Sequence, residues 1–155
     1  MKKLITLSIA IFCVSFLFAQ SFVSTTPENK NIVLEEFTGI HCVYCPDGHL
    51  QAQNLYNANP GDVVLVNIHT GSYANPSAGE PDFRADPLGS GIAGIASVSG
   101  YPAGTVNRHL FPGLGQAGGT AMSRSNWAGA GTQILAQPSC VNVAAEASLN
   151  ISTRI

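Results

Sequence analysis

The sequence predicts an α/β protein, because two strand patterns flank a segment that can be helical. Residues 31–37 are apolar enough on both faces for a central strand, and residues 62–69 hold a β-branched run between turn residues. Between them, residues 42–57 can form a helix. Its residues expected to face inward are Leu50, Leu55 and Tyr44. A crossover of this length makes the two strands parallel.

The first 19 residues are typical of a secretory signal peptide. Lys2 and Lys3 precede an apolar run from Leu4 to Phe18, and the small residue Ala19 follows it. The run is shorter than the roughly 20 apolar residues that span a membrane. We therefore expect export to the periplasm, the outer membrane or the cell surface, with no transmembrane helix in the mature chain. Residues 20–30 then read as a flexible lead-in.

The charge composition speaks against nucleic acid as a partner. The chain has seven Lys or Arg and nine Asp or Glu, and loss of Lys2 and Lys3 with the signal peptide leaves a formal net charge of −4. No cluster of basic residues is present to bind phosphates. The mature chain keeps Cys42, Cys45 and Cys140, which are too few for a disulfide scaffold.

The chain after the second strand is less regular. Residues 70–87 are rich in Pro, Gly and Ser, and a weak helix is predicted over residues 82–98. A short strand is predicted at residues 105–108, followed by a Gly-rich loop over 110–119 in which no hairpin partner is evident. Residues 123–137 predict a helix that packs Trp127 on the sheet and stops at Pro138.

Residues 141–151 have a different pattern from the rest of the chain. Apolar and polar residues alternate there, which predicts a half-exposed antiparallel strand. No later segment is available to pair with it. Our hypothesis is that residues 138–155 are the first strand of a truncated β-rich domain, since an unpaired strand edge invites aggregation.

The two cysteines three residues apart lie at the corner between the first strand and the helix. Cysteines at i and i+3 share one face of a helical turn and are close enough to form a disulfide. The unpaired N–H groups of the helix end stabilise a thiolate. This geometry favours redox chemistry at Cys42 and Cys45.

The order of these features resembles the thioredoxin fold: a strand, a Cys-x-x-Cys helix start, a second parallel strand, and a later Gly-x-Pro before another strand. The resemblance covers residues 31–137 and implies a central mixed sheet with helices on both faces. The string Glu35–Gly48, with Tyr101-Pro102 and residues 106–108, is more narrowly similar to the outer-membrane-protein-28-related family of secreted cell-envelope proteins. One departure is His41, which stands where thioredoxin-like proteins usually have Trp.

The resemblance implies a role for each residue near the cysteines. Cys42 would be the exposed nucleophile and Cys45 the resolving thiol, and Glu36 would be a buried acid that takes the proton from Cys45. Pro102 would be in cis beside the disulfide and shape the cleft. The expected substrate contacts are Val43, Tyr44 and the backbone of Tyr101. The implied partners are the thiols and disulfides of exported proteins, together with other cell-envelope components. The resemblance implies no cofactor.

Two other functions are compatible with the same residues. The disulfide can be an inert staple, although closing a four-residue loop stabilises by only about 2 kcal/mol. In that case the domain would be a surface binding or adhesion module. A zinc site from His41, Cys42, Cys45 and His49 is the other alternative, but two adjacent ligands crowd a tetrahedron, so we predict no metal.

The remaining polar residues predict ordinary roles. His49, His69 and His109 are expected to make simple polar contacts. Arg84 and Arg108 are expected to pair with local carboxylates such as Glu80 or Asp86. Cys140 is expected to be either buried and free or bonded to a cysteine in the missing C-terminal portion.

Overall fold

The structure is a computed structural model that describes residues 23–145, 147 and 151. The predicted signal peptide lies outside the described residues. Within them, residues 29–138 form one compact unit, and residues 23–28 belong with the residues after 138 to another. No helix in the described part of the chain is both long enough and apolar enough to cross a membrane.

The larger unit contains a four-stranded mixed sheet with the spatial order β2-β1-β3-β4. Strand β1 (Ile32–Thr38) pairs in parallel with β2 (Val63–His69), which confirms the predicted parallel pair. Strand β3 (Ala103–Val106) runs antiparallel to β1 on its other side, and β4 (Met122–Ser123) runs antiparallel to β3.

Three α-helices connect and cover these strands. Helix α1 (Cys45–Ala58) crosses from β1 to β2, α2 (Leu88–Ala96) lies between β2 and β3, and α3 (Trp127–Leu135) follows β4. Helix α2 is shorter than the predicted 82–98. The predicted helix over 123–137 divides into a 3₁₀ turn at 124–126 and α3, which ends before Pro138.

The sheet has a hydrophobic core on each face. Leu34 of β1 packs with residues of α1 and α3 on one face, whereas Phe37 packs with Ala93 and Ala96 of α2 on the other. Trp127 is fully buried against Gly104 of β3, and its indole Nε1 donates to the Met122 carbonyl at 3.2 Å. The predicted packing of Trp127 on the sheet is therefore confirmed, as is a mixed sheet with helices on both faces.

Helix α1 begins at Cys45, three residues later than predicted, and this changes which of its side chains face inward. Its buried residues are Cys45, Gly48, Ala52 and Leu55. Leu55 is buried as predicted, but Tyr44 is 66% exposed and Leu50 is 56% exposed. Tyr44 precedes the helix, and Leu50 lies about 200° around the helix axis from Gly48, on the solvent side.

The prediction that the third strand lacks a hairpin partner is wrong. Met122 and Ser123 pair with Gly104 and Ala103, so a two-residue strand closes this edge of the sheet. Strand β3 itself ends at Val106, two residues earlier than predicted. Asn107 has a positive φ of 52°, and its side chain accepts from the Val33 N–H at 2.6 Å and donates to the Asn31 carbonyl at 2.8 Å.

The two arginines pair with carboxylates other than those predicted. Arg108 donates to both carboxylate oxygens of Glu35, from Nε at 2.7 Å and from one terminal guanidinium nitrogen at 2.5 Å, on the face of the sheet opposite Leu34. Arg84 binds Asp82 instead of Glu80 or Asp86, and its hydrogen bonds to Asp82 lower the pKa of that carboxyl to about 2. Glu35 is 9% exposed, whereas the Arg84–Asp82 pair lies at the surface.

Arg108→Ala is expected to lower the free energy of unfolding by about 1–3 kcal/mol, because it leaves the largely buried Glu35 carboxylate without its partner. Arg84→Ala is the matched control and should leave the denaturation midpoint unchanged, since exposed ion pairs contribute little. Urea denaturation of both variants measures this, and equal midpoints for the two would show that the Glu35 pair does not stabilise the sheet.

The described residues of the predicted C-terminal strand are not in a strand. Residues 141–145 have no ladder partner among the described residues, so the prediction of a strand is wrong there. In the same unit, the Asn142 side chain donates to the carbonyls of Ser24 and Thr26 at 2.8 and 2.7 Å. Cys140 is exposed, so the expectation of a buried free thiol is wrong, and it forms no disulfide with a described residue. Residues 146, 148–150 and 152–155 of the predicted β-rich segment lie outside the described residues, and that domain stays a prediction.

Candidate functional site

The two cysteines form a disulfide in the turn that joins β1 to α1. The S–S distance is 2.09 Å and the Cα–Cα distance is 5.3 Å. The Cys42 N–H donates to the Gly39 carbonyl, and the Cys45 N–H donates to the Cys42 carbonyl, so the turn is fixed by its own backbone. Cys42 is 7% exposed and Cys45 is 1% exposed. Cys42 is thus the more accessible of the two, although it is far less open than the exposed nucleophile that we predicted.

The irregular segment after β2 packs directly against this turn. The backbone of Tyr73 lies so close to Gly39 that a Cβ there would be 2.4 Å from the Tyr73 carbonyl carbon. The His41 N–H donates to the Tyr73 carbonyl at 3.0 Å, and its side chain lies 2.9 Å from Glu80. The Ser77 N–H, and secondarily His41, lower the pKa of Glu80.

This arrangement separates the residues of the alternative zinc site. His41 contacts Glu80, whereas His49 contacts Glu36. Among the described residues, no group of three or more His, Cys, Asp or Glu side chains is placed to hold a metal ion.

Glu36 is buried in the face of the sheet that α1 and α3 cover. Glu36 is 1% exposed, and its Oε2 lies 3.0 Å from Nδ1 of His49. The other carboxyl oxygen, Oε1, is buried and has no hydrogen-bond partner among the described residues. Burial raises the pKa of Glu36, and the charge and hydrogen bond of His49 offset only part of that effect.

Gly48 allows Glu36 and Pro102 to approach the first turn of α1. A Cβ at Gly48 would lie 2.5 Å from Glu36 Oε1 and 2.9 Å from the ring of Pro102. The Tyr101–Pro102 peptide bond is cis, as the resemblance implies. The buried acid and the proline therefore pack against the first turn of α1, which begins at Cys45. One signal of this packing is present in the sequence, because a glycine inside a predicted helix costs stability and needs a reason.

His49 is the residue whose role sequence analysis missed. Its Nδ1 contacts Glu36, its Nε2 lies 3.4 Å from Oγ1 of Thr38, and its side chain is 43% exposed. His69 of β2 lies opposite Thr38 in the sheet register, and its buried Nδ1 finds no hydrogen-bond partner in the described part of the chain. Burial, and secondarily the charge of His49, lower the pKa of His69. The signal available in the sequence was the i, i+4 spacing of Cys45 and His49, which places both on one side of the helix.

The predicted substrate contacts divide into accessible and packed residues. Val43 is 85% exposed and Tyr44 is 66% exposed, so the two residues between the cysteines form an apolar surface beside the disulfide. Arg124 lies 5.9 Å from the centre of the Tyr44 ring and also pairs with Asp47. The ring of Tyr101 instead packs edge-on against Tyr73 at 5.7 Å, and its burial raises the pKa of the phenol.

These features define a class of protein: a mixed α/β domain with a Cys-x-x-Cys disulfide at the start of a helix and a buried acid beneath that helix. Comparison of the chain with protein-family models, with curated proteins and with solved structures finds no match.

Proposed function

We propose that this chain is an exported thioredoxin-like protein that exchanges thiols and disulfides with other exported proteins through Cys42 and Cys45. The observation that carries the proposal is the buried Glu36 carboxyl, whose Oε1 has no partner within the described residues and lies beside the helical turn that begins at Cys45. An inert disulfide has no need of such a group. Burying a carboxyl with one oxygen unpaired costs stability, and functional sites are where such costs are retained.

The topology supports the thioredoxin-like part of the proposal. A parallel β1-α1-β2 unit is followed by a helix, an antiparallel β3–β4 pair and a final helix, with the disulfide at the start of α1. The cis Pro102 precedes β3 directly. The similarity of the string Glu35–Gly48 to outer-membrane-protein-28-related proteins, together with the predicted signal peptide, supports the cell envelope as the location.

In this proposal the dithiol form reduces a substrate disulfide in two steps. The Cys42 thiolate attacks one substrate sulfur, which forms a mixed disulfide and releases the other substrate sulfur as a thiolate. Cys45 then gives its proton to Glu36 and attacks Cys42 Sγ. That step breaks the mixed disulfide, releases the second substrate thiolate and restores the Cys42–Cys45 disulfide. Two electrons pass from the dithiol to the substrate, and the reverse sequence oxidises a substrate dithiol.

The surface beside the disulfide suits a polypeptide substrate. Val43 and Tyr44 present apolar side chains to solvent on the residues that join the two cysteines. An extended substrate chain can bury these side chains while its own cysteine approaches Cys42. The same surface would serve a binding module with a structural disulfide, so the redox behaviour of the pair decides between the two functions.

A redox titration tests the proposal. The whole chain is equilibrated in thiol buffers of defined potential, trapped with an alkylating reagent, and scored by mass spectrometry on the peptide that contains Cys42 and Cys45, so that Cys13 and Cys140 do not contribute. We expect a potential between about −120 and −270 mV, where catalytic pairs lie. A value below about −300 mV would place the pair with structural disulfides and favour the binding module.

A further inference from the structure

The contact between His49 and Glu36 joins the buried acid to solvent. Glu36 is 1% exposed, and its Oε1 has no partner among the residues that the structure describes, so the carboxyl itself has almost no contact with solvent. His49 Nδ1 lies 3.0 Å from Glu36 Oε2, and the His49 side chain is 43% exposed. The imidazole therefore contacts the buried carboxyl at one nitrogen while much of its ring remains in water.

We propose that His49 is a proton-transfer residue that carries protons between water and Glu36 during each cycle of the Cys42–Cys45 pair. The proposal rests on the proposed function for its biological meaning, but the proton step can be measured on the isolated protein. An imidazole suits this task because it accepts a proton at one nitrogen and releases another from the second.

The direction of transfer follows the direction of electron flow. When the disulfide is reduced, a thiolate of the reductant attacks Cys42 Sγ, the S–S bond breaks, and Cys45 leaves with the electron pair and takes the proton of Glu36. Glu36 Oε2 then regains a proton from His49 Nδ1, and His49 takes one from water. When the dithiol is oxidised, Cys45 gives its proton to Glu36, and the proton leaves through His49.

The surroundings of His49 hold its ring in place for this transfer. Thr38 Oγ1 lies 3.4 Å from Nε2 and comes from a fully buried residue of β1. The titratable group facing it from β2 is His69, whose lowered pKa favours the neutral ring. On α1 itself, the nearest charged residue in sequence is Asp47, which is bound to Arg124.

The test measures how fast dithiothreitol reduces the Cys42–Cys45 disulfide in the whole chain. His49→Gln is expected to slow reduction about tenfold at pH 7, which is less than the roughly 10²–10⁴-fold contribution of a group that transfers the proton directly, because His49 acts through Glu36. The rate should lose its dependence on the protonation of an imidazole, and the equilibrium constant with the reductant should stay unchanged. His109→Gln, on a ring that packs against Phe111, is the matched control and should react like the parent chain.

Two further variants separate transfer from a structural role. In His49→Ala, added imidazole should restore the lost rate, whereas in Glu36→Gln it should not, since the inner acid is missing. The double variant Glu36→Gln/His49→Gln should be no slower than Glu36→Gln alone. Unchanged kinetics in His49→Gln, or a loss that imidazole does not restore, would overturn the proposal. The two proposals can fail separately. If the variants behave as expected but the redox potential of the Cys42–Cys45 pair falls in the range of structural disulfides, the proposed function is rejected and the role of His49 in proton transfer stands.

Discussion

Glu36→Gln is expected to slow the exchange reaction about 100-fold and, at the same time, to make the protein more stable at neutral pH. The rate falls because the variant has no buried acid to take the proton from Cys45, and general acid–base groups contribute about 10²–10⁴-fold. The stability rises because a neutral amide replaces a carboxyl that burial penalises when it is ionised. Removal of the buried charge should raise the free energy of unfolding by about 1 kcal/mol, although the amide still places a polar atom at the position of Oε1.

The pH dependence of stability is an independent test of whether Glu36→Gln stabilises the folded protein. Burial raises the pKa of Glu36 in the folded protein above its ordinary value of 4.5, so the folded state keeps a proton that the unfolded chain has released. The contribution of Glu36 is therefore fully present below pH 4.5 and is lost as the pH rises through the raised pKa. Gln does not titrate, so the stability difference between the variant and the parent chain should grow from acidic to neutral pH in urea denaturation.

The neighbouring residue supplies the control. Glu35→Gln makes the same chemical change one position earlier, but Glu35 is paired with Arg108 on the opposite face of the sheet. That variant should lose stability at neutral pH and keep the exchange rate of the parent chain. If Glu36→Gln instead proved less stable at every pH, the contact between Glu36 and His49 would be a stabilising ion pair. That result would contradict a role of the carboxyl in proton transfer.

Gly48→Ala is expected to damage both the stability and the site. A methyl group there would meet Glu36 Oε1 at 2.5 Å and the rigid ring of Pro102 at 2.9 Å, so the helix or the proline must move. Overpacking of this kind costs about 1–3 kcal/mol and outweighs the gain of up to about 1 kcal/mol from replacing a helical glycine. We expect a lower melting temperature, by about 4 °C or more for each kcal/mol lost.

Gly94→Ala is the matched control within a helix. Gly94 lies inside α2, and a Cβ there would meet nothing within 4 Å. This variant should gain about 0.5–1 kcal/mol from helix propensity alone. Thermal unfolding of the two variants compares them, and a Gly48→Ala protein as stable as Gly94→Ala would mean that the turn carrying Cys45 has room that the structure does not show.

Much of the framework was predictable because it depends on local pattern. The β1-α1-β2 unit follows from apolar runs separated by a helical segment, and the positions of Cys42, Cys45 and Pro102 are visible as residue types at fixed spacing. Strand β4 could not be predicted in the same way. It has two residues, which is too short for any periodicity, and it is held by its pairing with β3.

The contacts within the site were less predictable, because they join residues far apart in sequence. No local pattern identifies His49 as the partner of Glu36, 13 positions earlier. The same holds for Arg108 and Glu35, which are 73 positions apart. Tyr44 was misplaced for a different reason. The helix begins at Cys45 instead of Cys42, and a shift of three residues in a helix start alters which side chains precede it and which face the sheet.

The two adjacent acids of β1 also distinguish the correct strand pairing from a shifted one. Glu35 pairs with Thr105 in the sheet, and its side chain binds Arg108. Glu36 pairs with Gly104, and its side chain contacts His49 in the space that Gly48 leaves. A slip of one residue between β1 and β3 would displace Arg108, which follows β3, and leave the largely buried Glu35 carboxylate without its partner. Two chemically identical side chains with different partners thus favour the observed register of the central strand over a shifted one.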